Sequence, residues 1–185
     1  MTDKNIVFNY NRKSWKETLD FIGTLNSGHI LDLGCGNGSE TAILCKKGLN
    51  VTALDVSDDL INEAKKKAPE AKYIKADIRT LPIENSSIDN ALFIATFHHL
   101  KNNNDRLKCL KELHRCVKPN GRVLMSVWTK KGMKGGKYLS WGSSAKKRYY
   151  YFFEKQELLN LVEMSGFKVT TVKNSGENLF VEFQK

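Results

Sequence analysis

The residues best suited to chemistry are in the run Leu31-Asp32-Leu33-Gly34-Cys35-Gly36-Asn37-Gly38, where an apolar strand pattern gives way to a helical one. Glycines at 34, 36 and 38 permit positive φ and let a ligand lie against bare backbone at the carboxyl end of the strand. Asp55 ends the next strand pattern, 17 residues beyond Gly38, where a carboxylate can accept both hydroxyls of a ribose. The chemistry implied is the binding of a nucleoside cofactor. A dinucleotide turn has the spacing G-x-G-x-x-G, which lets a pyrophosphate rest on the helix N-terminus. This chain has G-x-G-x-G, with Asp32 two residues before the first glycine. A carboxylate there repels a pyrophosphate and suits an ammonium group, which favours S-adenosylmethionine over a nicotinamide dinucleotide.

A second block carries charge. The chain has 185 residues with 30 basic and 20 acidic side chains, a formal net charge of +10. Between Leu113 and Phe153 there is no Asp or Glu, and there are ten cations: Arg115, Lys118, Arg122, Lys130, Lys131, Lys134, Lys137, Lys146, Lys147 and Arg148. The rest of the chain is neutral. The same block holds eight of the 18 aromatic residues. Cations interleaved with rings suit an RNA groove, where Lys neutralises phosphates and unstacked bases lie on rings.

Composition excludes several classes. With 41% hydrophobic and 27% charged residues, the sequence is neither disordered nor membrane-spanning. Cys35, Cys45, Cys109 and Cys116 form no C-x-x-C pair, and no histidine stands at zinc-ligand spacing from them, so free thiols and no metal are expected. The first residues lack the apolar run of a signal peptide, and no window is apolar enough to span a membrane, so a soluble, cytoplasmic protein is expected.

Strand and helix patterns must position these blocks. Strands are expected over 29–33, 50–55, 71–76, 88–96 and 121–128, with helices over about 39–47, 57–67 and 104–117 between them. A leading helix over 13–26 precedes the first strand, and a helix over 154–166 precedes two strands joined by a short Asn-Ser-Gly turn. Right-handed crossovers then give one α/β domain over 1–185, an open, mostly parallel sheet closed by an antiparallel hairpin. Residues 129–152 fit neither period and are read as a basic, aromatic loop over the active site.

Asp32 to Gly38, Asp55 and Ala76-Asp77-Ile78 resemble the cofactor motifs of class I S-adenosylmethionine-dependent methyltransferases. That resemblance implies a Rossmann-like, seven-stranded sheet of order 3-2-1-4-5-7-6. It places Asp32, Gly34, Gly36 and Gly38 at the methionine end, Asp55 on the ribose, and Asp77 with Ile78 on the adenine. Val56 and Ala95 complete the implied cofactor contacts. The segment Ala95-Thr96-Phe97-His98-His99-Leu100 lacks the Asn/Asp-Pro-Pro-Tyr pattern of enzymes acting on ring amino groups, and His98 is the histidine expected to meet substrate.

A closer resemblance is carried by Trp128, Tyr138-Leu-Ser-Trp141, Lys147-Arg148-Tyr149-Tyr150-Tyr151-Phe152-Phe153 and Phe8-Asn-Tyr-Asn-Arg12-Lys-Ser-Trp15. Together these are similar to the tRNA methyltransferases that esterify 5-carboxymethyluridine at the wobble position, the group that includes the methyltransferase domain of an AlkB-homologue fusion. The chemistry is consistent with that. A carboxylate of pKa ~4 is already ionised at pH 7, so esterification needs alignment and a cation and no general base. Arg148 and Arg12 are the candidate clamps, since a guanidinium grips two oxygens. Trp15, Trp141, Lys147, Tyr149 and Tyr150 are the candidate substrate contacts. The resemblance also implies a tRNA anticodon loop as partner, and a small zinc-binding activator that adds a strand at the third-strand edge, where Tyr73 and Ile74 are expected to be exposed. Two other functions compete: a small-molecule methyltransferase, and a non-catalytic RNA-binding module on the same fold.

Overall fold

The structure, a computed structural model, describes residues 14–140 and 147–185, so Arg12 and Trp141 lie outside the described residues. Helix α1 (Lys16–Thr24) precedes β1 (His29–Leu33), α2 (Ser39–Lys46), β2 (Asn50–Asp55), α3 (Asp58–Lys67) and β3 (Lys72–Lys75). Then come β4 (Ile88–Ile94), a 3-10 turn (Phe97–His99), α4 (Asn103–Cys116) and β5 (Val117–Trp128). The chain ends through β6 (Gly135–Ser140), β7 (Lys147–Phe152), α5 (Lys155–Met164), β8 (Lys168–Ser175) and β9 (Asn178–Gln184). Seven strands form one sheet of order β3-β2-β1-β4-β5-β9-β8. With β6 and β7 set aside, this is the expected 3-2-1-4-5-7-6 order of a Rossmann-like methyltransferase fold. The pairs from β3 through β5 are parallel, and β9 runs antiparallel to both β5 and β8.

Period-two alternation splits the core into two layers. Leu31, Leu33, Ala91, Phe93, Val123 and Met125 face α4 and α5, packing with Leu110, Leu113, Leu158 and Leu161. Ile30, Val51, Leu92, Ile94 and Leu124 face the other way, with Phe21 and Ile22 of α1 and Leu44 of α2. Helix ends follow their residues. Ser57 Oγ caps α3 by accepting from Leu60 N (3.4 Å), and Asn102 Oδ1 caps α4 by accepting from Asp105 N (2.8 Å). Gly48, just past α2, takes a left-handed φ of 80°. Among the described residues no helix is long and apolar enough to cross a membrane.

Four expectations are corrected. Within 129–152, residues 135–140 and 147–152 form a second, two-stranded sheet: β6 pairs β7 antiparallel from Gly135↔Phe152 to Ser140↔Lys147. The strand period is hidden because aromatic residues occupy both faces of β7. Tyr150 and Phe152 are buried on one face, while Tyr149 and Tyr151 are half-buried on the other. The fifth strand, expected from 121, starts at Val117, which pairs Ile88 before a register break, so Pro119-Asn120-Gly121 is an irregularity within the strand. The β8–β9 turn is Gly176-Glu177, because Asn174 and Ser175 still pair with Leu179 and Asn178. At the β3 edge, Tyr73 and Ile74 are half-buried: the Tyr73 hydroxyl lies 2.9 Å from the carbonyls of both Ala64 and Ala68, and Ile74 packs on the core. Lys72 and Lys75 are the exposed side chains of that strand.

Arg106 ties the hairpin to the main sheet. It is 2% exposed, its guanidinium carbon is 3.6 Å from the Tyr151 ring centroid, and Nη2 donates to the Leu100 carbonyl (3.0 Å). Trp128 stacks on Tyr150 (4.6 Å, 7°), and Phe97 stacks on Phe153 (5.5 Å, 15°). The hairpin is thereby held over the carboxyl ends of β4 and β5.

Candidate active site

The carboxyl ends of β1, β2 and β4 open on a cavity of about 480 Å³. Gly34, Cys35, Gly36 and Asn37 form its floor, Asp55 and Val56 one wall, Asp77, Ile78 and Arg79 a second, and Ile94, Ala95 and Thr96 a third. His99, Lys101 and Arg148 close the remaining side. This is the crevice beyond the strand ends where open α/β sheets bind ligands.

Asp55 is held rigidly: Oδ2 accepts from Gly36 N (3.0 Å) and Oδ1 accepts from Ser57 N (3.0 Å). Each oxygen keeps lone-pair capacity for a diol. Gly36 has φ +54°, and a Cβ there would meet nothing within 4 Å, so the glycine leaves open space beside the cavity. Val56 is 56% exposed, an unusual state for a valine and suited to a flat apolar ligand face. Ala95 also has a left-handed φ of 52°, fixed by its N–H donating to the Ser126 carbonyl (3.1 Å) and to Ser126 Oγ (3.0 Å). An acidic residue at a ribose position, bare backbone and an apolar slot fit S-adenosylmethionine. Asp77 lines the cavity with Ile78, but Arg79 grips it through Nε and Nη2 (2.9 and 2.6 Å). The hydrogen-bonded guanidinium keeps the Asp77 carboxyl below the usual range. Arg79 Nη1 also donates to Asp105 of α4 (3.0 Å), so the Asp77 loop is braced against that helix.

Two of the glycine-turn assignments change. Gly38 is absent from the cavity lining; a Cβ there would lie 2.7 Å from Ala64 Cβ, so this glycine lets α2 approach α3. Asp32 is 3% exposed and lies behind the turn, with Oδ2 accepting from Thr41 Oγ1 at 2.6 Å. Beside the glycine turn, the acid that lines the cavity in place of Asp32 is Glu40 in the first turn of α2, with Oε1 accepting from Ser14 Oγ (3.1 Å). Glu40 carried a signal that could have found it, an acid on the first helical turn after the glycines.

Burial pushes the Asp32 carboxyl up to about 7, with the charges of Glu40 and Asp55 adding to it against the Thr41 hydrogen bond. The folded state therefore binds the extra proton between the unfolded value near ~4 and about 7. Across that window stability must fall as pH rises. Asp32→Asn is expected to remove this slope, read as urea midpoints that vary less between pH 4 and pH 7 than in the parent (window ~4 to ~7). An unchanged slope would show that Asp32 is not its source.

At the substrate end the two histidines exchange the roles expected of them. His98 is 1% exposed, and its Nδ1 accepts from Trp128 N (3.2 Å), so it packs and is not a cavity residue. His99 lines the cavity. Its Nδ1 lies 2.9 Å from the Tyr149 carbonyl, which can only accept, so Nδ1 carries the proton and Nε2 is an acceptor. Burial, and then the Arg148 charge, lower its pKa to about 3. The ring is neutral at physiological pH and a weak base.

Arg148 lines the cavity from β7, and among the described residues its guanidinium has no hydrogen-bond or ion-pair partner. Tyr149 is outside the lining, with its hydroxyl donating to the Lys101 carbonyl (3.2 Å). Tyr150, expected as a substrate contact, is 2% exposed, stacked on Trp128 and outside the lining. Trp15 packs edge-on against Phe180 (5.6 Å, 74°) and is not in the cavity lining. Lys147 is exposed on the hairpin outside the lining. Lys101, Arg79 and Thr96 were not singled out by sequence, because their positions depend on the turn after β4 and the loop after β3.

Residues 31–125 match the protein family described as "Methyltransferase domain". A tRNA (carboxymethyluridine(34)-5-O)-methyltransferase of Arabidopsis thaliana is 40% identical over 119 residues, 62% of this chain and 28% of that protein. A malonyl-[acyl-carrier protein] O-methyltransferase of Pseudescherichia vulneris is 34% identical over 116 residues, 63% of this chain and 45% of that protein. The match thus spans less than half the length of either relative. A solved S-adenosylmethionine-dependent methyltransferase from Methanosarcina mazei superposes with a TM-score of 0.81 at 18% identity, covering 94% of this chain and 99% of that one.

Proposed function

We propose that this chain, which belongs to the family of S-adenosylmethionine-dependent methyltransferase domains, esterifies the carboxylate of a carboxymethyl wobble uridine in tRNA. The observation that carries the acceptor class is Arg148, a guanidinium without a protein partner among the described residues, in the same cavity as Asp55 and Gly36. The cofactor supplies a methyl group activated as a sulfonium. Asp55 orients the ribose, and Arg148 holds the acceptor carboxylate by a planar, charge-assisted pair. His99 is neutral and a weak base, which suits an acceptor that has no proton to lose. Trp128 of β5 packs on Tyr150 and Phe152 of β7, which fixes the strand that carries Arg148. Both named relatives carry a carboxylate in their acceptor's name, carboxymethyl in one and malonyl in the other.

The RNA part of the proposal is supported by charge. Lys131, Lys137, Lys147 and Arg148 make no ion pair among the described residues and cluster on β6, β7 and the turn before them. A strand-adding activator would dock at the open edge of β3, between exposed Lys72 and Lys75. A small carboxylic acid on a carrier is the second reading, favoured by the malonyl relative.

The deciding experiment incubates protein, alone and with a candidate activator, with labelled S-adenosylmethionine and tRNA bearing carboxymethyluridine. Label is expected in one wobble nucleoside and lost on mild alkaline hydrolysis, as an ester requires. Label that enters malonyl-carrier protein and not tRNA would replace this reading with the second.

A further inference from the structure

One exposed ring stands beside Lys101, a residue of the cavity lining, and is itself outside that lining. Tyr138 of β6 is 57% exposed, although its neighbour Leu139 pairs with Arg148 of β7. Its own cross-strand partner is Tyr149, with ring centroids 5.4 Å apart at 70°. Lys101 Nζ lies 5.6 Å from the Tyr138 ring and 5.9 Å from the Tyr149 ring, and Lys101 itself lines the cavity. The ring is therefore connected to the cavity rim through one cation.

Cross-strand pairing alone does not require this exposure, since such pairs act by covering each other. Strand alternation puts Lys147, which pairs with Ser140, on the same face of the hairpin as Tyr138. No acidic residue occurs anywhere in 113–153. An uncovered aromatic face flanked by two cations and no carboxylate of its own segment is complementary to a base and its phosphates.

We propose that Tyr138, with Lys101 and Lys147 beside it, is a stacking platform for an unpaired nucleobase adjoining the nucleotide that enters the cavity. This rests on the tRNA reading and adds a subsite to it. A base flipped out of an anticodon stack leaves its neighbour unstacked, and an aromatic face at the rim replaces the lost stacking. Stacking is indifferent to base identity, so the platform adds affinity and little sequence preference.

The test uses the full chain, a fluorescently labelled anticodon stem–loop RNA and two substitutions. Tyr138→Phe keeps the ring, and Tyr138→Leu keeps apolar cross-strand packing without a stacking face. Anisotropy titrations at low salt are expected to show Tyr138→Leu weaker by roughly tenfold and Tyr138→Phe close to the parent. Affinity for S-adenosylmethionine should be the same in all three. A 2-aminopurine placed beside the target nucleotide should be quenched by the parent and by Tyr138→Phe and not by Tyr138→Leu. That signal decides the matter even if the Tyr138→Leu variant has a lower melting temperature. Binding and quenching by Tyr138→Leu equal to those of the parent would overturn the platform and leave the tRNA reading intact. Failure of the parent itself to bind the stem–loop would overturn both.

Discussion

Arg148→Ala is expected to remove ester formation while leaving cofactor affinity in place. Arg148 is the cavity guanidinium that no carboxylate among the described residues neutralises, since Arg79 is held by Asp77 and Asp105, and it enters the lining from β7. A charge-assisted pair in a water-poor site is worth about 3–4 kcal/mol when one partner is deleted, or two to three orders of magnitude in kcat/KM. Arg148→Lys keeps the charge but loses the planar fork, so an intermediate loss is expected. His99 would not take over as a base, because burial, the larger cause of its lowered pKa, persists in the variant. Rates with labelled cofactor, set beside calorimetric binding of S-adenosylmethionine, check this. Turnover within about threefold of the parent would refute the carboxylate clamp.

Gly34→Ala should be severely damaging, because it combines a left-handed backbone with a clash against a neighbouring strand end. Gly34 has φ +78°, and its Cβ would fall 2.3 Å from Thr96 Oγ1 and 2.4 Å from Thr96 Cγ2. Neither side can yield. Gly34 N donates to the Leu54 carbonyl at 2.7 Å, and Thr96 Oγ1 lies 3.0 Å from the Ile94 carbonyl and 3.2 Å from that of Gly34. A clash between strand ends plus a left-handed alanine is expected to cost about 3–5 kcal/mol, with cofactor binding lost as well. Gly36→Ala is the control. Its Cβ would meet nothing within 4 Å, so the fold should lose only about 1–2 kcal/mol from the left-handed backbone while the new methyl group crowds the ligand. Thermal melting together with calorimetry separates a glycine needed for folding from one needed for binding. Equal melting temperatures in the two variants would contradict that division.

The strand–glycine–helix signal, the acid at the end of the second strand and the helix periods were legible because each depends on residues close in sequence. Asp55, Val56, Ile78, Gly34 and Gly36 therefore stand at the cavity as their motif positions imply. His98 and His99 show the limit of such reasoning. Both are histidines in one short turn, and only the packing of Trp128 over one and of the Tyr149 carbonyl against the other assigns their roles. Asp32 was recognisable as part of a motif, yet its depth behind the turn is set by Thr41 and α2.

Charge shows the same division on a larger scale. By sequence, 113–153 is a continuous basic block. In three dimensions Arg115 pairs with Glu112, Lys118 with Asp89, Arg122 with Glu182, Lys130 with Glu177 and Lys134 with Glu154. Half of the block is thus paired with acids outside it, and the unpaired cations that the structure describes are Lys131, Lys137, Lys147 and Arg148. The fold, the cofactor turn and the anion-seeking segment are readable from residue order alone, since local periodicity, glycine φ and net charge need no partner. The placement of Glu40 rather than Asp32 in the lining, of His99 rather than His98, and the choice of unpaired cations all depend on packing. Those outcomes depend on side chains that meet across strands far apart in sequence, where burial and pairing change what a residue can do.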